Sequence, residues 1–193
     1  MAIPAALILL PAAYLLGTFP SAGIVARSRG IDITTVGSKN PGASNVARAL
    51  GTSWGVLVFL LDGLKGAVPA AAGVALDTRP GAYLLVGAAV LGHMFPVTRR
   101  FRGGKGVATM GGAVAVLHPL VFAALLVVWL VVRKLSDKAS LASIAIAIGL
   151  PLGIVIERSP GWEVLASGAL ALLVMLRHTD NIRRLASRTE LRA

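Results

Sequence analysis

Cysteine is absent from this chain, which excludes disulfides, thiolate metal sites and a thioester formed on the protein itself. Negative charge is scarce: 8 Asp and Glu stand against 19 Lys and Arg, a formal net charge of +11. Charged residues make up only 14% of the chain and aromatics 5%, whereas 56% are hydrophobic and the mean hydropathy is +0.80. A soluble protein with this excess of base would be read as a nucleic-acid binder. Here the basic residues alternate with apolar runs, which points to membrane topology and anionic ligands, with no nucleic acid as partner. Repeats, linkers and low-complexity tails are also missing, so residues 1–193 read as one transmembrane domain. Redox chemistry is not expected.

The apolar runs are long. The first, Ile3 to Val25, has no basic flank before it and no convincing small-residue cleavage signature, so it reads as a retained span rather than a signal peptide. Others cover Ser53–Leu76, Gly81–Val97, Val107–Val132, Ala139–Ile156 and Trp162–Leu176. Lys and Arg cluster between them: four in residues 27–52, four in 98–105, three in 133–138 and five in 177–193, leaving only Lys65, Arg79 and Arg158. Cytoplasmic loops carry the basic excess, so those four stretches are expected inside, with the N-terminus outside and the C-terminus inside. This parity requires Val107–Val132 to cross an even number of times. His118-Pro119 lies in its middle, and proline disfavours helix in the residue before it, so the chain is expected to turn there. Each half is then about 12 to 14 residues, short of the roughly 20 needed to cross upright. The expected fold is an all-α integral membrane protein, a compact bundle of about seven transmembrane helices, some short; five spans plus a re-entrant hairpin has the same parity. Gly and Ala in the spans are read as packing residues that let helices approach.

Four polar stretches fall on the side assigned as cytoplasmic. "GSKNPGASNVARALG", residues 37–51, offers Ser38, Asn40 and Asn45 as hydrogen-bonding side chains and Arg48 as a planar fork for a phosphate. Its glycines can turn backbone N–H groups toward an anion. A solvated basic loop is the plainer alternative. "LLDGLKG" places Asp62 and Lys65 inside an apolar run, where each ionisable group costs about 2.5 to 3.5 kcal/mol on insertion scales, and at this spacing they share a helix face. Asp62 reads as structural, and Lys65 as a source of positive potential. "GHMFPVTRRFRGGKGVATMGG" surrounds Lys105 with Gly103, Gly104 and Gly106 just before a predicted helix, so backbone donors, a point charge and a helix N-terminus could meet one anion. The Walker spacing fails at Thr98–Arg99, so ATP is not implied. His93, near the inner end of a span, reads equally as a packing or a catalytic histidine. "RHTDNIRRLASRTE" at the C-terminus is either a basic amphipathic tail on anionic lipid or a site in which Arg177, His178 and Asn181 share a turn. Ser140 and Ser143, at the start of their span, are placed to cap a helix or face a ligand.

With those residues in view, the chain resembles the bacterial membrane acyl-phosphate:glycerol-3-phosphate acyltransferase (PlsY) family. The likeness rests on Gly37–Arg48, Gly92–Thr109 and Arg177–Leu185, three motifs in family order and at family spacing. Departures are small: Lys39 stands where glycine is usual, Ser44 where threonine is, and Ser187-Arg188 replaces a glycine-containing step before Thr189-Glu190. The resemblance implies acyl transfer from acyl phosphate to the 1-hydroxyl of glycerol 3-phosphate, giving lysophosphatidic acid and inorganic phosphate for phospholipid synthesis. It implies no metal or cofactor, a monomer among membrane lipids, and a multi-pass protein of the bacterial inner membrane with its site facing the cytoplasm. It also implies roles: Ser38, Arg48, His178 and Asn181 catalytic; Asn40, Asn45, Gly103, Gly104, Lys105, Gly106 and Ser143 in substrate binding or its support. Glu190 is expected to be structural, paired with an arginine. The HxxxxD pair of other glycerolipid acyltransferases is absent, because Thr98, Ala123 and Arg183 follow the three histidines at that spacing. The general base therefore stays open between His178 and a substrate phosphate oxygen. A transporter of an organic phosphate is the alternative from another class.

Overall fold

The computed structural model describes residues 2–76 and 78–192, the side chains of residues 2–4 excepted. Among these residues the regular structure is helical, with no strand. The helices are α1 (Ala2–Gly17), α2 (Ser21–Arg27), α3 (Ala43–Leu50), α4 (Thr52–Ala75), α5 (Arg79–Met94), a 3-10 turn (Val97–Arg99), α6 (Val107–Leu117), α7 (Pro119–Ser136), α8 (Ala139–Ile156), α9 (Gly161–Arg177) and α10 (Thr179–Ala186). Five segments are long and apolar enough to cross a membrane, Ala5–Arg27 among them, and Val107–Leu117 is a shorter apolar helix. α1 and α2 together make one of these five, and α9, with 17 residues, is not among them. The chain is an all-α integral membrane protein. It divides into two units, Met1–Leu117 and His118–Ala193.

Two expectations need correction. The first span is not one continuous helix: it stops at Gly17 and restarts at Ser21, because Pro20 lacks the N–H that would continue the ladder and constrains Phe19 before it. The halves of Val107–Val132 are also unequal. The turn falls at His118-Pro119 as expected, with His118 capping α7 and Pro119 at its first position. But α6 has 11 residues and α7 has 18, since Arg133 and Lys134 are its last turn rather than a loop beyond it. Long basic side chains can lay their stems on apolar surface and reach outward with their charge.

In the first unit α1 packs on α5, and α4 packs on α3, α5 and α6. The α4–α6 contact runs backbone against backbone. A methyl on Gly66 would overlap the Thr109 carbonyl, and one on Gly112 the Gly63 carbonyl. These glycines are packing residues, as the sequence suggests. Tyr14 of α1 ties down the far end of α5, its hydroxyl donating to Phe95 O at 2.7 Å and accepting from Val97 N at 3.1 Å. A separate apolar cluster of Ala22, Val25, Ala26, Ile33, Val46 and Val58 lies beneath the 28–42 loop and holds α2, α3 and α4 around it.

In the second unit α7, α8 and α9 pack in succession. Asp137, in the left-handed conformation that Asp tolerates, stops α7. At the other end His118 is clamped between carboxylates: Nδ1 lies 2.5 Å from Glu157 Oε2 and Nε2 lies 3.1 Å from Glu163 Oε2. This joins the start of α7 to the end of α8 and the first turn of α9. Leu120, Leu135, Ile156 and Leu165 are each at least 76% exposed, a lipid-facing surface rather than a defect in a chain built for a bilayer.

Candidate active site

The residues expected at the site fall into two groups, one in each unit. In the first unit, the 37–42 loop is built around Asn45, which is 2% exposed. Its Oδ1 accepts from Ser38 N at 2.9 Å, and its Nδ2 donates to Ile33 O at 3.1 Å and Val36 O at 3.0 Å. Both of its donors and one acceptor position are therefore spent on its own loop. Asn45 shapes the loop that carries Ser38, and Ser38's hydroxyl is not part of that scaffold. Gly37 has a φ of +55°, and a side chain there would collide with Asn45 Oδ1, so glycine is required twice over. Lys39, at φ +58°, occupies the left-handed region that glycine adopts most readily. Asn40 is half-buried beside it, and Arg48 projects from the last turn of α3.

The second loop lies between α5 and α6. Sequence reasoning pointed the Gly103 and Gly104 N–H groups at an anion, and the structure corrects this. Gly103 N donates to Met94 O at 3.1 Å and Gly104 N to His93 O at 3.1 Å, so both close the loop onto the end of α5. An anion here is left to Lys105 and to the N–H groups that open α6 at Val107, which lack intrahelical acceptors. Gly106, at φ +81°, makes the turn into the helix, and its carbonyl accepts from Met110 N. A methyl on Gly104 would overlap His93 Nε2, so the loop lies directly on the imidazole. His93 is 5% exposed and packs under the loop.

The helices that follow the two loops, α3 and α6, both pack on α4. A methyl on Gly55 would meet Ala43 and Ala47 of α3, while Gly63 faces Ala108 of α6. Those eight residues separate the two dockings by about 12 Å along the axis. Between Gly63 and Gly66 sits Lys65, whose Nζ is 2.5 Å from Asp62 Oδ1 and donates to Phe19 O at 2.6 Å, in the break between α1 and α2. Asp62 and Lys65 thus pair on the helix face that their spacing gives them.

In the second unit, His178 ends α9 and begins α10, and is 2% exposed. Its Nδ1 lies 2.8 Å from Val174 O, an acceptor only, so Nδ1 carries the proton and the lone pair of the neutral ring is on Nε2. Asn181, 4% exposed, donates through Nδ2 to Glu190 Oε1 at 2.7 Å. Because a carboxylate accepts, this bond also fixes which end of the amide is oxygen. Arg184 Nε holds Glu190 Oε2 at 2.8 Å, the arginine pairing expected. The bond from Glu190 to Asn181 was not expected, because nothing in a spacing of nine residues marks it. Burial works to raise the Glu190 carboxyl, but the hydrogen bonds from Arg184 and Asn181 outweigh it and hold it below the ordinary range. Ser143 donates to Ala139 O at 2.8 Å and accepts from Trp129 Nε1 at 3.2 Å, joining α7 to α8.

Comparison with known proteins places this architecture. The family model described as "Glycerol-3-phosphate acyltransferase" matches residues 7–188. The chain belongs to the glycerol-3-phosphate acyltransferase family. It is 41% identical to the glycerol-3-phosphate acyltransferase of Aquifex aeolicus, over 96% of this chain and 97% of the relative. With that of Aliivibrio salmonicida it shares 42%, over 94% of each. Among solved structures it is similar to PlsY, described as an integral membrane glycerol 3-phosphate acyltransferase. The glycerol 3-phosphate form gives a TM-score of 0.94 at 40% identity, covering 98% of this chain and 96% of that one. The lysophosphatidic acid form gives 0.91 at 39% identity, covering 97% and 95%.

Proposed function

We propose that this protein transfers a fatty acyl group from acyl phosphate to the 1-hydroxyl of sn-glycerol 3-phosphate, giving lysophosphatidic acid and inorganic phosphate. The reading rests on family membership across residues 7–188, with the three polar motifs in place on helix ends and loops. The hydroxyl oxygen attacks the acyl carbonyl carbon, the bond from that carbon to the phosphate oxygen breaks, and phosphate leaves with the electron pair. Acyl phosphate is a mixed anhydride and already activated, so orientation and charge stabilisation suffice.

In this reading Ser38 and Arg48 bind phosphate oxygens and offset the charge that develops on the acyl oxygen and leaving group. Lys105 and the start of α6 take the phosphate of glycerol 3-phosphate, with Gly103, Gly104 and Gly106 shaping the loop. Asn40 adds a hydrogen bond, Asn45 holds Ser38 in place, and Ser143 braces α7 against α8. His178 takes the hydroxyl proton through Nε2, the nitrogen that its bond to Val174 leaves as the acceptor. Asn181 orients substrate with its amide oxygen, its nitrogen being held by Glu190. The basic excess in the four stretches assigned inside supports a cytoplasmic-facing site, and the family resemblance supports a bacterial inner membrane.

The test is turnover of protein in detergent, where no compartment exists. Lysophosphatidic acid formed from glycerol 3-phosphate and acyl phosphate supports the enzyme. No product, together with flux of organic phosphate into proteoliposomes, would favour a transporter.

A further inference from the structure

We infer that Asp62, Lys65 and His93 form a positioning network that sets the 103–106 loop for its phosphate ligand; this deepens the proposed function and rests on it. Lys65 and Asp62 are 3% and 2% exposed, on a helix that crosses the bilayer. Ionisable groups at such a depth are kept where they do something an apolar pair could not. As a mere staple, the pair could be replaced by two apolar side chains of similar size at little cost, because desolvation offsets most of the attraction.

The geometry gives the pair a further reach. Lys65 faces backward, to Phe19 O at the break in the first span. The same Asp62 Oδ1 that pairs with Lys65 lies 3.8 Å from His93 Nδ1. That distance is too long for a hydrogen bond but close enough for electrostatic orientation of the ring or a water bridge. The opposite nitrogen of the same ring, Nε2, lies against Gly104, and the His93 carbonyl receives the Gly104 N–H at 3.1 Å. Asp62 thus sets the ring, and the ring supports the loop whose next residues are Lys105 and Gly106. The first turns of α6 lie on the same surface, where Gly66 abuts the Thr109 carbonyl. Thr109 Oγ1 is buried with no hydrogen-bond partner, which marks this region as polar inside an apolar bundle. With its charge matched by Asp62, Lys65 acts through this scaffold rather than as free positive potential at the site.

The experiment compares the wild type with Asp62→Leu/Lys65→Met, which removes both charges together, and with His93→Phe, which keeps a ring under Gly104 but loses its polar link to Asp62. Two readouts are taken. The first is the KM for glycerol 3-phosphate, expected to rise about tenfold in both variants while kcat and the KM for acyl phosphate stay within twofold. The second is hydrogen exchange, expected to quicken in residues 95–110 and stay unchanged in 118–193. If the wild type has no turnover, the proposed function fails, and the exchange measurement alone still tests the network. Folded variants with unchanged exchange in 95–110 and unchanged KM would overturn the inference and leave the pair a local staple.

Discussion

Asn45 Oδ1 accepts the backbone N–H of Ser38 at 2.9 Å, while its Nδ2 donates to the carbonyls of Ile33 and Val36. One buried amide therefore holds both arms of the loop that presents Ser38. Asn45→Asp keeps the shape and the acceptor but removes both donors, leaving two carbonyls facing a carboxylate. The expected loss is about 1–3 kcal/mol of stability, together with reduced activity. Thermal unfolding in detergent and initial rates check this; an unaltered midpoint would mean the loop is held by something else.

The His118 clamp makes a prediction about folding rather than chemistry. Glu163 is 1% exposed, and His118→Ala takes away one of its partners. Breaking a buried pair from one side costs on the order of 3 kcal/mol. The variant should unfold at lower temperature yet, below its transition, bind glycerol 3-phosphate as the wild type does. An altered KM in folded protein would place His118 in the site's machinery.

Much of this fold is legible in the chain, and its failures have local causes. His118-Pro119 signals the turn because proline restricts its predecessor, and the basic clusters signal parity. Pro20 carries the same kind of signal, but it is masked by an apolar run that continues on both sides. The Asn45 bonds are invisible in sequence because their partners are backbone carbonyls 9 and 12 residues earlier. The Gly104–His93 contact needs the loop to fold back on α5 before it exists. Lys39 is a different case. The resemblance marks glycine as usual there, and the left-handed φ of +58° supplies the physical reason.

For His178, the bond from Nδ1 to Val174 O fixes a proton on Nδ1, so that in the neutral ring the basic nitrogen is Nε2. His178→Gln should lower kcat by roughly 10²–10⁴ with little change in KM. Single-turnover rates, with circular dichroism to show that the helices persist, are the check. Substantial retained turnover would shift the base to a substrate phosphate oxygen.

Glu190 predicts a pH dependence. Its carboxyl is held below the ordinary value, so the folded state favours the ionised form. The stability this contributes is fully present above the ordinary glutamate range, near pH 4.3, and is lost as pH falls through the lowered folded value. The grip on Asn181 should loosen over the same interval. Glu190→Gln should show a smaller change in stability between neutral and acidic pH than the wild type, measured as unfolding midpoint against pH. Parallel curves for the two proteins would remove Glu190 from the account.

The most direct test of the central claim is the stoichiometry of the reaction. Purified protein is given glycerol 3-phosphate with either acyl phosphate or acyl-coenzyme A, and lysophosphatidic acid and inorganic phosphate are followed together. Equal amounts of the two products from acyl phosphate, none from acyl-coenzyme A, and loss of both in Ser38→Ala and Arg48→Ala is the predicted result. Lysophosphatidic acid made from acyl-coenzyme A, or phosphate released without it, would contradict the assignment.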